Sequence, residues 1–374
     1  MNPSSCRDYF QRGLSLVEVM LALTIGLVLV AGVTRVQITT SQIYQLQNAQ
    51  SRLQENARFA IHLLTDSIQD AGYMGCTSSA TFISALNFDP DPASQRYDYA
   101  YEDFVGYPVN ANLSQLATIQ GSEWTAGPDT ATVPTNWTPV LDPSVTNPGP
   151  GSDVVTIRGP LGNGTRLIVD MVGNTDSLAV PADSGLSACD IVLVANCVNA
   201  TLVQITQIGA EGQLLHDAAN CGAGTPPGNS RPDLGVAYLS GDSVLPYGTI
   251  SYYLGVVPGT ENDTALYRQI NSNAPEMLVE GVEQMQILYG EDTDPLPAPP
   301  ERPDFTPNRY VTADFVSDWR RVVSVRISLL LRTVEDNLAS TPQTYTFEGL
   351  TTTATDRRLR YGFTLTIGLR NRLS

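Results

Sequence analysis

The fold is decided near the N-terminus by the stretch RGLSLVEVMLAL, residues 12–23, which opens an apolar run that continues to Thr34. Between Leu14 and Thr34 the only charged side chain is that of Glu18. A helix of about 20 apolar residues spans the hydrocarbon core of a bilayer. We therefore predict a membrane-spanning helix over residues 14–34. An acid in such a helix costs on the order of 2 kcal/mol or more, which marks Glu18 as a functional candidate.

The order of the segments argues against a secretory signal peptide, in which a small-residue cleavage site follows a shorter apolar region. Here the small residue Gly13 precedes the apolar run. Cleavage after Gly13 would free the amine of Leu14 one helical turn before Glu18, where opposite charges attract and the helix dipole favours an acid. The alternative interpretation is an ordinary signal anchor that tolerates an interfacial glutamate.

This arrangement resembles the type IV prepilin signal, in which a short polar leader ends in Gly and an apolar helix carries Glu at its fifth position. Leu14 departs from the family by replacing a commoner Phe. The resemblance implies that a membrane-embedded prepilin peptidase cuts between Gly13 and Leu14 and methylates the new N-terminus at Leu14. It also implies that Glu18 neutralises the amine of a neighbouring subunit during filament assembly.

Charge restricts the possible partners and the topology. The chain of 374 residues has a net charge of −17, and such a surface repels nucleic acid and anionic lipid headgroups. Arg7 and Arg12 precede the apolar run, so the positive-inside rule places the N-terminal end in the cytoplasm. The rest of the chain then lies across the membrane. The prepilin resemblance implies an inner-membrane protein with one spanning helix and a head in the periplasm, which reaches the pilus and the cell surface after assembly.

A helical period continues beyond the apolar run, with apolar residues every three or four positions from Ile43 to Ile68. Leu53 and Leu64 belong to this stripe, and polar residues occupy the opposite face. Gly72 is a typical residue to end a helix. We predict one long helix whose second half, residues 35–72, packs its stripe against a globular head.

Several short motifs narrow the resemblance to the PilW-type minor pilins. They are NARFA at 56–60, AGYMGC at 71–76, VEGVE at 279–283, QILYG at 286–290, VRISLL at 325–330 and LRNR at 369–372. The resemblance implies a non-enzymatic subunit that joins other minor pilins and the major pilin, on the inner-membrane assembly platform, in a complex that primes pilus assembly and lies at the tip.

Strand signals follow the helix. Candidate strands are 153–157, 166–169, a hairpin of 190–195 with 200–206, 249–254, 266–268 and 285–288. Alternation is clearest at the end of the chain, where Val323, Val325, Ile327, Leu329 and Leu331 are predicted to face one side, as are Tyr361, Phe363, Leu365, Ile367 and Leu369. Two half-buried strands need a covering layer, and the second half of the helix provides one.

The predicted class is therefore α+β and pilin-like, with a long N-terminal helix on an antiparallel sheet. The segments are leader 1–13, membrane helix 14–34, amphipathic helix 35–72 and β-rich head 73–374.

Cysteine arithmetic agrees with removal of the leader. Loss of Cys6 leaves four cysteines, Cys76, Cys189, Cys197 and Cys221, which can form two disulfides. An extended strand between Cys189 and Cys197 would hold them about 20 Å apart, too far for a bond. Each is expected to pair with Cys76 or Cys221, in an order that the sequence leaves open. Four free thiols are the alternative.

Residues that could carry chemistry are few. The histidines are His62 and His216, and neither a catalytic triad nor a phosphate-binding loop is recognisable, so we expect no enzyme activity, no cofactor and no metal. Two weaker hypotheses compete with solvated turns: a metal site from His216, Asp217 and Cys221, and calcium ligands among Asp89, Asp91, Glu291, Asp292 and Asp294. The aromatic and acidic segment 97–104 is a candidate partner-binding loop, with a packed edge strand or a solvated loop as the alternatives.

Three other functions share this signal or this architecture. A minor pseudopilin of a type II secretion system carries the same N-terminal signal. A tip adhesin would bind a surface or receptor through its loops. A membrane-anchored enzyme is the least supported, because the sequence offers no catalytic constellation.

Overall fold

The computed structural model describes residues 15–75, 81–87, 111–112, 118–125, 137–139, 141, 145–149, 151–222, 227–260, 263–271, 273–295 and 304–372. One helix, α1, spans Leu16–Gln69, and short 3₁₀ turns occur at Ala210–Gly212, Ala313–Phe315, Trp319–Arg321 and Arg370–Arg372. The strands in chain order are β1 Thr81–Ser84, β2 Ala111–Asn112, β3 Ile119–Trp124, β4 Trp137–Thr138, β5 Val154–Pro160, β6 Thr165–Arg166, β7 Leu178–Ala179, β8 Ile191–Ala195, β9 Asn199–Gln204, β10 Gln207–Ile208, β11 Gln213–Leu215, β12 Ser243–Val256, β13 Thr264–Ile270, β14 Glu276–Glu280, β15 Val282–Glu291, β16 Arg309–Val311, β17 Val322–Arg332, β18 Thr344–Phe347, β19 Leu350–Thr353 and β20 Arg360–Gly368.

Helix α1 has 54 residues and is therefore about 80 Å long. It begins after Ser15, whose side chain accepts a hydrogen bond from the backbone N–H of Glu18. It ends where Gly72 adopts a left-handed φ of 68° and donates its N–H to Arg158 O at 2.8 Å. A Cβ on Gly159 would lie only 3.0 Å from Asp70 O, so this glycine lets strand β5 approach the end of the helix.

The largest sheet has eleven strands, in the order β2-β1-β9-β8-β12-β5-β3-β4, with β6 and β13 also on β12 and β14 on β13. Its ladders are antiparallel except for the parallel pair of β1 and β9. Strand β12 is 14 residues long and pairs first with β8 and then with β5 and β13. It thus joins the two halves of the sheet.

A second, four-stranded sheet has the order β16-β15-β17-β20 and is antiparallel. Two smaller sheets, β10-β11-β7 and the hairpin β18-β19, complete the described part of the head. The predicted α+β class with a long helix on an antiparallel sheet is confirmed.

The principal core forms where the second half of α1 crosses these sheets. Leu53, Ala57, Ala60, Leu64 and Ile68 are buried there among side chains of β5, β12, β15 and β17. Burial of apolar surface stabilises by about 25 cal/mol per Å², so this stripe holds helix and head together. The predicted stripe is confirmed from Ala49 onward, whereas Ile43 is half exposed.

Three strand predictions need correction. Val323 is buried, but Val322 is the residue that belongs to the principal core, because a β-bulge shifts the register between β15 and β17 at that end. Tyr361 is 59% exposed, because β20 is the edge strand. The predicted strand 166–169 is strand only at Arg166, and a loop follows.

The far face of β17 is also more enclosed than the alternation indicates. Ser324 and Ser328, predicted to face away from the core, are buried, and their hydroxyls lie 3.0 Å from Tyr310 Oη and Thr364 Oγ1 respectively. The strand is therefore covered on both faces along most of its length.

Candidate functional site

The first half of α1 stands outside the head. Between residues 15 and 48 every residue is exposed except Gly26 and Leu46, which are partly exposed. This helix is long and apolar enough to cross a membrane, and none of its most apolar segment is buried within the protein. Such a surface needs an apolar surrounding, from lipid or from other helices.

Glu18 lies on this exposed half, three residues after the N-cap. Its backbone N–H donates to Ser15 Oγ at 3.2 Å, and an acid in the first turn is favoured by the helix dipole. Ser15 and Glu18 thus have the spacing of a capping box, a local role for both residues that the sequence interpretation missed. Gly13 and Leu14, the predicted cleavage and methylation positions, lie outside the described residues.

Polar contacts fix the docked half of the helix on the head. Asn371 donates its amide to Gln69 O at 3.3 Å and Ala71 O at 3.0 Å, which satisfies carbonyls at the end of the helix. The side-chain amide of Asn56, in the motif at 56–60, donates to Glu280 O, in the motif at 279–283, at 3.3 Å. The sequence motif at 56–60 therefore contacts the motif at 279–283, and the motif at 369–372 contacts the end of the helix.

A buried arginine reinforces the same region of the head. Arg360 is 6% exposed and binds Glu283 through two hydrogen bonds, of 2.7 and 3.1 Å, and Asp356 through two more. Hydrogen bonds from Arg360 lower the pKa of Asp356, although burial alone would raise it. This ion-paired cluster has a structural role. Both carboxylates are occupied by Arg360, so neither is available as a general acid or base.

Cysteines tie together two loops of the head. Cys189 and Cys221 form a disulfide with a Cα–Cα distance of 5.2 Å, and Cys197 is also disulfide-bonded. The expectation that Cys189 does not pair with Cys197 is confirmed, and strand β8 lies between them as predicted. Cys76 lies outside the described residues.

The disulfide removes one metal hypothesis. Cys221 has no thiolate to offer, so the set of His216, Asp217 and Cys221 is not a metal site. His216 is buried, with Nε2 2.8 Å from Asp176 O, whereas His62 is exposed on the helix and pairs with Asp66 at 3.2 Å. The described residues therefore give neither histidine a catalytic neighbourhood.

The acidic loop before β16 forms a small cluster. The carboxylates of Asp292, Asp294 and Asp304 have ligand atoms within 4.8 Å of one another, and Arg321 lies 3.4 Å from Asp292. Glu291 is fully buried; burial raises its pKa, but hydrogen bonds from Ser317 and Arg309 outweigh this effect and leave the pKa lowered. Asp89, Asp91 and the segment 97–104 lie outside the described residues.

A buried pair of acids was not foreseen. Glu123 at the end of β3 and Asp153 before β5 are hydrogen-bonded to each other, and Asp153 Oδ2 accepts the N–H of Ile287 at 2.7 Å. Burial, and then the charge of Glu123, raise the pKa of Asp153 to about 8. The two carboxyls can therefore share a proton at neutral pH. In the sequence, Asp153 was only the first residue of the predicted strand 153–157.

Tyr289 belongs to the same buried site. It is 1% exposed, and burial followed by the neighbouring acids raises its pKa. Its ring lies directly over Gly121, where any Cβ would overlap the phenol, and it packs edge-to-face on Trp319 with ring centres 4.7 Å apart. This constellation connects β3 with β15 and is enclosed, so it suits a structural role better than catalysis.

Two family models match the chain. One, described as Prokaryotic N-terminal methylation motif, matches residues 10–34, and the other, described as Type IV Pilus-assembly protein W, matches residues 251–371. No curated protein and no solved structure matches the chain significantly. Residues 35–250 lie between the two matched regions.

These matches agree with the geometry. The methylation motif covers the start of the exposed apolar helix, and the second match covers the sheet on which its other half packs. Pilin families are structural rather than catalytic, and their subunits contact other pilins and the membrane assembly machinery. The two matches accordingly support a membrane-anchored, type IV pilin-like protein of the PilW type, a minor pilin of the type IV pilus.

Proposed function

We propose that this minor pilin joins other minor pilins in a complex that primes pilus assembly and lies at the tip. The observation that carries the proposal is the division of α1 into an exposed apolar half and a docked half. The exposed half needs lipid before assembly and neighbouring helices afterwards, whereas the docked half belongs permanently to the head. The head, residues 73–374, is large, which suits a position where it is not packed on every side.

The proposal includes the topology and the processing. The leader, residues 1–13, lies in the cytoplasm, residues 14–34 span the inner membrane, residues 35–72 pack on the head, and the head, 73–374, occupies the periplasm until the subunit enters the pilus. A prepilin peptidase cuts after Gly13 and methylates the amine of Leu14.

Processing is tested by the mass and the N-terminal residue of the membrane-extracted protein. We expect methylated Leu14 in the wild type and uncut precursor in Gly13→Val, because the peptidase must close on a small residue. Gly26→Val, in the same helix but outside the cleavage region, is the matched control and should be cut normally. An N-terminus other than Leu14 would contradict the assignment.

Glu18 is proposed to pair with the amine of a neighbouring subunit during assembly. Glu18→Ala makes the helix more apolar, so it should still be cut and inserted, but it should enter pili poorly. Because Glu18 also sits in the first helical turn, Glu18→Gln is the sharper variant: it keeps the size and removes the charge. Incorporation of Glu18→Gln at the wild-type level would refute charge pairing.

Deletion of the gene distinguishes the priming role from its rivals. Loss of surface pili with normal protein secretion is expected. Lost secretion with normal pili would instead indicate a pseudopilin of a type II secretion system, and normal pili that fail to attach would indicate an adhesin. Immunogold labelling confined to pilus ends is the expected result for a tip position.

A further inference from the structure

Two loops of the head outside both matched regions are bound to each other. In the segments 167–172 and 238–242, Met171 N donates to Tyr238 O at 2.9 Å, and Leu167 N donates to a carbonyl of the second segment at 2.9 Å. The side chains of Leu167, Met171 and Tyr238 are buried in one apolar cluster beneath the loops. Each loop is thus anchored through inward-facing side chains.

The remaining apolar side chains of these loops face solvent. Ile168 is 52% exposed, Val169 57%, Val172 97% and Leu239 56%. We call these four residues the apolar patch. Single exposed apolar residues are ordinary on a protein surface, but a group of them on anchored loops is typical of a site of interaction.

Carboxylates hold the backbone that presents the apolar patch. Asp170 accepts the N–H of Ser240 at 2.7 Å, Asp242 accepts the N–H of Leu239 at 2.8 Å, and Asp176 accepts the N–H of Val172 at 2.9 Å. These bonds fix the conformation that exposes the patch, so a partner would meet it already ordered. They also place negative charge around the patch.

The net charge of the loops is negative. Their three aspartates outnumber Arg166, which donates to Gly241 O at 2.9 Å, and the sequence segment 161–242 as a whole contains eight acidic residues and two arginines. Like charges oppose docking of a second copy on this surface, and they oppose an anionic membrane equally. An apolar pocket bordered by arginine or lysine is complementary in both shape and charge.

We propose that the apolar patch is a docking surface for a different protein, one that presents an apolar pocket bordered by basic side chains. The proposal goes beyond the priming role, because it assigns a partner-binding surface to the part of the head that the family match leaves out. Val172 is the side chain that enters the pocket, and the surrounding aspartates pair with the basic border.

The test uses the full chain in the cells that produce it, with a photoreactive benzophenone residue in place of Val172. We expect a covalent adduct with one other protein, linked through a peptide that contains apolar residues beside Arg or Lys. The double change Ile168→Ser and Leu239→Ser should lower the adduct yield about tenfold, because two apolar contacts are lost. In isolated membranes, high salt should lower the yield as well.

The same photoreactive residue at Val198, which is 66% exposed on another turn, is the matched control. Equal yield at Val198, an adduct with a second copy or with lipid, a linked peptide without basic residues, or no adduct would each overturn the proposal. An unchanged unfolding curve shows that the double variant is folded, and the single change Val169→Ser, at a side chain that is 57% exposed, repeats the test with the photoreactive residue still at position 172. Pili are counted in parallel, so loss of the adduct with normal pili separates this surface from the priming role.

Discussion

Replacement of Asp153 by asparagine should change how the stability of the head depends on pH. In the folded protein, burial and then the charge of Glu123 raise the pKa of Asp153 to about 8, against an ordinary value of 3.8. Between these values the folded state holds a proton that the unfolded chain has released. The free energy of unfolding therefore falls as the pH rises from about 4 to about 8. Above about pH 8, Asp153 is ionised in both states and causes no further change.

The magnitude follows from one bound proton. A difference of one proton corresponds to about 1.4 kcal/mol per pH unit, so from pH 5 to pH 7 this group should remove about 3 kcal/mol of stability. The asparagine side chain of the variant does not ionise, and its carbonyl oxygen can still accept the N–H of Ile287. The variant should match the wild type near pH 5 and exceed it by about 3 kcal/mol near pH 7.

Denaturant unfolding of the full chain in detergent micelles measures this difference. Tryptophan fluorescence is a suitable signal, because Trp124 lies next to the acid pair. Acids with a lowered pKa, such as Glu291, give the opposite slope only below about pH 5 and are common to both proteins. The difference between variant and wild type therefore reports the acid pair of Asp153 and Glu123. Asp183→Asn, at an exposed aspartate, is the matched control and should follow the wild type at every pH. A loss of stability in Asp153→Asn that is equal at pH 5 and pH 7 would refute the shared proton.

Three further outcomes are expected. Leu64→Ala should cost about 2–5 kcal/mol in the same unfolding assay, because it opens a cavity under the helix, whereas the exposed Gln54→Ala should cost little; equal losses would contradict the assigned stripe. Non-reducing peptide mapping should link Cys76 to Cys197, since Cys197 is disulfide-bonded and Cys189 is already paired with Cys221; a different partner for Cys197 would be the contrary result. Gly121→Ala should destabilise by at least about 1–3 kcal/mol, because the new methyl would overlap the buried tyrosine ring above it, and the paired change to leucine at that tyrosine, which removes the ring, should restore part of the loss. No restoration would place the clash elsewhere.

The helix was predictable because its signals are local. The spacing of Leu53, Leu64 and Ile68 defines one face without knowledge of the rest of the chain, and Gly72 marks the end through its own backbone preference. The hairpin of β8 and β9 was predictable for the same reason, since two apolar runs flank a short polar turn. The predicted long helix and this hairpin are both confirmed.

Other features depend on which strands become neighbours. The exposure of Tyr361 follows from the position of β20 at the edge of its sheet, and the burial of Ser328 follows from the cover on the far face of β17. Asp153 acquires its raised pKa from burial and from Glu123, which comes 30 residues earlier and outside every predicted strand. Alternation alone contains none of this information.

Strand β12 limits how such heads can diversify. Residue 251, where the family match begins, falls in the middle of this strand, so the matched and unmatched parts of the head share one continuous backbone ladder. An exchange of the unmatched part between related proteins cannot be cut at that point without breaking the ladder on both sides. The junction would have to fall before Ser243, in the turn that carries Leu239 and Asp242, and the transplanted segment would have to bring strands β5 and β8 with it. Variation in this part of the head is therefore expected as insertions in loops rather than as replacement of a separable module.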